Sequence, residues 1–210
     1  MGHPWQMRWR YSVRSPKITL SNGCLAFLCA YCVFDPRGTF LWFLFSVVCH
    51  EIGHLLAMRI MGIPVLGIRG TLGGLEILAP PLTYKQEIPV ALSGPLMNLL
   101  LFDLTRRIYP LMSLMNGVLL LYNLLPIYPL DGGRALRAGL HCYFPLHIAE
   151  RIERFCGGGV LLSILVGCLY LAFTYQCGMW PILFCAFLFY RLGETILPKE
   201  KNTLDKIKFP

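Results

Sequence analysis

His50-Glu51-Ile52-Gly53-His54 is the part of this sequence best suited to chemistry. Residues four apart on a helix share one face, so both imidazoles can reach a single metal ion. Glu51 follows the first histidine directly and can act as general base on a water activated there. A catalytic zinc keeps three protein ligands and leaves the remaining position to water or substrate. The third ligand must be a His, Cys, Asp or Glu presented at similar depth, and Asp131 is the best placed. Around it, Asn123-Leu-Leu-Pro126-Ile-Tyr-Pro129-Leu-Asp131-Gly132-Gly133-Arg134 packs two prolines and two glycines. Prolines end a regular helix and glycines permit tight turns, so the chain can be bent to present Asp131 sideways. Glu76, His141 and His147 are rival ligands. Asn123, in the same block, has two readings of equal standing. It can hydrogen-bond a substrate carbonyl or a water at the metal, or it can simply tie two helices together.

The elements that must position these residues are apolar. The motif lies inside the run from Phe40 to Gly62, which is long enough to span a bilayer at roughly 20 residues per crossing. Ionisable side chains at that depth are costly and are functional candidates by default. The whole chain agrees: of 210 residues, 56% are hydrophobic and 14% charged, with mean hydropathy +0.58. A soluble domain carries about a quarter charged residues, so an integral membrane protein is expected. No cleavable signal peptide is apparent.

The net charge of +8 is a topology signal rather than a nucleic-acid footprint. With spans near 18–34, 38–62, 89–105, 111–125, 158–175 and 179–197, one side of the membrane collects almost every Lys and Arg. The other side keeps Arg37, Arg106 and Arg107. Positive charge marks the cytoplasmic side, which puts both termini there. Nine cysteines lie mostly in apolar runs and read as small buried residues. The pair Cys29-Ala-Tyr-Cys32 stands without a second pair, and Cys49 points about 100° away from His50 around the helix.

The expected fold is an all-α polytopic membrane protein of about six transmembrane helices, covering 18–197. A cytoplasmic leader, 1–17, precedes it and a short tail, 198–210, follows. Residues 63–88 are too broken by glycine and proline for a long helix, and predict a small β hairpin or re-entrant loop around Gly73-Gly74. Ser93-Gly94-Pro95-Leu-Met-Asn98 predicts close helix packing, a kink and a hydrogen-bonded Asn. Residues 134–156 read as a basic connection with a short amphipathic helix.

Taken together, H-E-I-G-H, S-G-P-L-M-N and N-L-L-P-I-Y-P-L-D-G-G resemble the site-2 protease family of intramembrane metalloproteases. The layout looks most like the bacterial branch that contains the stage IV sporulation protease acting on a pro-sigma factor. The resemblance covers nearly all of 18–197. It implies one zinc ion held by His50, His54 and Asp131, with Glu51 as catalytic acid/base and Asn123 in the place of the family's active-site Asn. It also places Gly73-Gly74 in a re-entrant element beside the substrate path. The implied location is a bacterial cell membrane, and the implied partners are the bilayer and a membrane-anchored protein substrate. Many relatives carry a PDZ or a CBS domain; neither is seen in these residues, so a regulatory membrane partner, a prior cleavage of the substrate or substrate abundance is expected to control access. Two other classes compete with the protease: a catalytically inactive relative that binds membrane proteins, and a transporter. The intact Glu51 argues against the first, and the concentration of ionisable groups at one depth argues against the second.

Overall fold

The computed structural model describes residues 17–23, 25, 29, 35, 38–71 and 74–175. Helix α1 spans Thr39–Ile60. Its start is fixed by Asp35, whose carboxylate accepts hydrogen bonds from the Thr39 hydroxyl at 2.8 Å and the Phe40 N–H at 2.6 Å. An anion at that end also suits the helix dipole. Helix α2 spans Tyr84–Thr105 and begins with a capping box between Thr83 and Gln86. It is the central element, packing against α1, against α3 (Pro110–Asn123) and against α4 (Asp131–Tyr143). Helix α5, Leu146–Tyr175, packs on α4.

Helices α1, α2 and the first 25 residues of α5 are long and apolar enough to cross a membrane. Burial is arranged to match. The most completely buried large side chains are Asn98, Asn116, Pro95 and Ser46, while Leu41, Leu96, Leu121 and Leu162 lie exposed. A water-soluble protein would bury the leucines and avoid so broad an apolar surface. The chain is an integral membrane protein with a broad apolar exterior and a buried polar group among the helices, Ser46, His50, His54, Asn98, Asn116 and Asp131.

A three-stranded sheet accompanies the helices: β1 (Lys17–Leu20), β2 (Gly67–Thr71) and β3 (Gly74–Leu78). Strands β2 and β3 pair antiparallel, with Ile68 opposite Ile77 and Arg69 opposite Glu76. Strand β1 joins β2 in parallel, Ile18 opposite Ile68. Ile77 and Val65 pack against Met58, Ile63 and Val90, which anchors the hairpin beside the C-terminal end of α1.

The protein is mostly helical with a small sheet, as expected, and of about six expected spans three are helices of crossing length among the described residues. Residues 63–88 hold the expected hairpin, but its third strand comes from 17–20, where a boundary between leader and span was expected. The span expected at 89–105 starts earlier, because the Thr83–Gln86 box nucleates the helix ahead of Pro89. The span expected at 111–125 is a 14-residue helix, about 21 Å long and shorter than a bilayer core of about 30 Å. That expected at 158–175 is the second half of the longer α5. Most of the span at 18–34, all of that at 179–197, the leader before Lys17, the tail, and Leu72 and Gly73 fall outside the described residues.

Candidate metal centre

Three side chains from two helices converge on one point. His50 and His54 come from one face of α1, and Asp131 is the first residue of α4. Their facing atoms form a near-equilateral triangle. His50 Nε2 lies 3.0 Å from Asp131 Oδ2, His54 Nε2 lies 3.2 Å from it, and the two Nε2 atoms are 3.1 Å apart. All three residues are buried, at 6%, 5% and 6% exposure.

The other ring nitrogens define what faces inward. His54 Nδ1 donates to the Val90 carbonyl at 2.7 Å, and His50 Nδ1 donates to Asn98 Oδ1 at 2.5 Å. In a neutral imidazole with Nδ1 protonated, Nε2 carries a lone pair. Two such pairs and a carboxylate oxygen thus point at one another, a repulsive arrangement unless a cation stands among them. A tetrahedral zinc with bonds of about 2.0–2.2 Å spaces its ligand atoms a little over 3 Å apart. The two-histidine, one-carboxylate set is a zinc set that keeps a position for water or substrate. Within the described residues, these three are the group that could hold a metal ion, and zinc fits them.

The local fold explains the closeness. Gly94 in α2 lies against both imidazoles, and a β-carbon there would overlap His54 Nε2 and Cε1 and approach His50 Cε1 to 2.7 Å. Pro95 has no N–H to bond the Ala91 carbonyl, and one residue before Ala91 the Val90 carbonyl accepts from His54 Nδ1. At α4, β-carbons on Gly132 and Gly133 would collide with the backbone of Leu124 and of Ile127–Tyr128. The two glycines let the chain fold back tightly, so that Asp131 starts α4 rather than hanging in a loop. Ile127 and Leu130 pack on Leu161 of α5 and brace that turn.

Asp131 is held from both sides. Its Oδ2 faces the imidazoles, and its Oδ1 accepts from Arg134 Nη1 at 3.1 Å. Arg134 also donates through Nε and Nη2 to Glu87 Oε1, at 2.8 and 2.7 Å. Glu87 belongs to the first turn of α2, so the arginine joins α4 to α2. Glu51 is half-buried and directly follows His50 on α1.

The other candidates lie elsewhere. Asn123 closes α3, where its amide donates to the Leu119 carbonyl of its own helix at 3.1 Å. Glu76 is exposed and stands 3.9 Å from Arg69 across the hairpin. His141 stacks on Tyr84, with ring centroids 4.9 Å apart. His147 is exposed on α5. Nothing in the sequence singled out Glu87, Asn116 or Ser46; Asn98 was expected to be hydrogen-bonded, and its partners are His50 and Asn116.

No protein-family model matches the chain. It is 32% identical over 141 residues to a zinc metalloprotease of Methanocaldococcus jannaschii, covering 60% of this chain and 41% of that protein. It is 39% identical over 108 residues to a Synechocystis protein bearing a zinc-metalloprotease name, covering 44% and 28%. It is 29% identical over 143 residues to stage IV sporulation protein FB of Bacillus subtilis, covering 61% and 48%. Each match thus spans less than half of the relative. The fold matches that of a site-2 protease from Methanocaldococcus jannaschii with a TM-score of 0.60 and 23% identity, covering 84% of this chain and 90% of that one.

Fold and ligand set define one class, a membrane-embedded metal centre with the site-2 protease fold. In sequence the chain is similar to proteins named as zinc metalloproteases, of which it spans less than half.

Proposed function

We propose that the protein is a zinc-dependent intramembrane endopeptidase that cuts membrane-anchored protein substrates near the cytoplasmic face. The observation that carries the reading is the convergence of His50, His54 and Asp131, buried among apolar helices, on a point suited to zinc. When bound there, zinc would polarise a peptide carbonyl and lower the pKa of a water toward about 7.

The remaining steps belong to the chain's own groups. His50, His54 and Asp131 are the ligands. Glu51, beside them on α1, takes the proton of the attacking water and returns it to the leaving amine. Asn123 turns its amide from the Leu119 carbonyl toward the substrate carbonyl and donates to the oxygen as charge develops. Arg134, tied to Glu87, keeps Asp131 aimed inward.

A substrate helix hides its peptide bonds in internal hydrogen bonds and must unwind before it can be cut. Among the described residues β3 is the end strand of the sheet, and its outer edge supports a reading in which unwound substrate adds as a further strand.

The test uses the full chain in liposomes with a panel of tagged single-span membrane proteins. Cleavage of at least one, abolished by a zinc chelator and restored by added zinc, is expected. Cleavage that persists in protein stripped of zinc would overturn the reading.

A further inference from the structure

Behind His50 runs a chain of buried polar groups that the hydrolytic reaction does not use. Asn98 Oδ1 accepts from His50 Nδ1, and Asn98 Nδ2 donates to Asn116 Oδ1 at 2.8 Å. Asn116 Nδ2 donates to Ser46 Oγ at 3.0 Å and to the Met112 carbonyl at 2.9 Å. Ser46 Oγ donates in turn to the Trp42 carbonyl at 2.9 Å. Asn98, Asn116 and Ser46 each show 0% exposure, and they come from α2, α3 and α1 respectively.

The direction of this chain is forced. Backbone carbonyls can only accept, so Met112 fixes the donor end of the Asn116 amide, and Trp42 fixes the Ser46 hydroxyl as donor. Asn116 must then offer its oxygen to Asn98, and Asn98 must offer its own oxygen to His50. Only an imidazole protonated on Nδ1 completes the series, and in its neutral form that ring presents its Nε2 lone pair to Asp131 and His54. Replacing all the partners in a buried network by apolar groups of similar shape can be nearly neutral for stability. Folding alone therefore gives little reason for three polar side chains at this depth.

We propose that Asn98, itself held by Asn116 and Ser46, is a positioning residue that fixes the tautomer and ring orientation of His50 for metal binding. The proposal rests on the zinc reading of the same centre. Outer partners of this kind affect metal affinity by about 10–100-fold.

The experiment measures zinc affinity by chelator competition on the full chain in detergent, for wild type, Asn98→Leu, Asn98→Asp and Asn116→Leu. Thermal unfolding of each without zinc runs in parallel. Asn98→Leu is expected to weaken zinc binding about 10–100-fold, and Asn116→Leu to weaken it less. Asn98→Asp keeps an oxygen acceptor and is expected to restore most of the affinity. An Asn98→Leu protein with altered unfolding but wild-type zinc affinity would overturn the proposal. Should that variant not fold, nitrogen-15 NMR of the wild-type imidazoles decides. A protonated Nδ1 on His50 is expected, and an unprotonated one overturns the proposal. A folded wild type that binds no zinc would instead sink the zinc reading, and the NMR tautomer would still settle the role of Asn98.

Discussion

Gly94 lies flat against the ring of His54, so close that a single β-carbon at position 94 would occupy the space of Nε2 and Cε1. The metal centre therefore needs a glycine on α2 as much as it needs histidines on α1. Gly94→Ala should displace His54 and reduce zinc affinity by at least about tenfold. Helix α2 itself should persist, because alanine is the better helix former. Zinc titration with circular dichroism checks this, and unchanged affinity would contradict it.

Arg134 supports Asp131 from α4 while gripping Glu87 on α2. Arg134→Ala leaves Asp131 Oδ1 without its donor and frees the start of α4 from α2. Zinc affinity should fall by about 10–100-fold, and Glu87→Ala should lose part of the same amount because Arg134 is then less well held. Chelator competition on the two single variants and the double variant measures the coupling. Strictly additive losses would show that the two residues act separately.

Glu76 was a rival for the third ligand position, and the hairpin places it in an exposed pair with Arg69. Glu76→Ala should leave zinc content unchanged and shift stability by no more than about 0.5 kcal/mol, as for most surface changes. Metal analysis of the purified variant is sufficient to check it.

Asn123 tests the catalytic proposal away from the ligands. Asn123→Ala should keep zinc while slowing cleavage by about 10²–10³-fold, the usual loss for a donor to a developing oxyanion. Loss of zinc in this variant would assign Asn123 to holding the fold instead.

What the sequence made legible was local. His50 and His54 need only helical spacing to share a face, and Asp131 was flagged by the prolines and glycines that bend the chain around it. The hairpin within 63–88 followed from glycines between β-branched stretches. Contacts between distant segments left no comparable trace. Asn98 meets His50 across 48 positions, Asn116 meets Ser46 across 70, and Arg134 meets Glu87 across 47. None of these pairs has a spacing rule. The parallel pairing of β1 with β2 is non-local for the same reason. The start of α2 was readable, since Thr83-Tyr-Lys-Gln86 is a capping box, but Pro89 offered a more conspicuous boundary. In α5, Arg151, Glu153 and Arg154 read as a polar connection although the helix runs straight through them.

The central claim is that zinc at His50, His54 and Asp131, with Glu51 beside it, hydrolyses peptide bonds. The most direct measurement pairs zinc content with cleavage of tagged single-span membrane proteins, for wild type and Glu51→Gln. Wild type should bind one zinc per chain and cleave at least one substrate. Glu51→Gln should bind zinc equally and cleave about 10²–10⁴-fold more slowly. A properly folded wild type that binds no zinc, or a Glu51→Gln protein that cleaves as fast as wild type, would contradict the account.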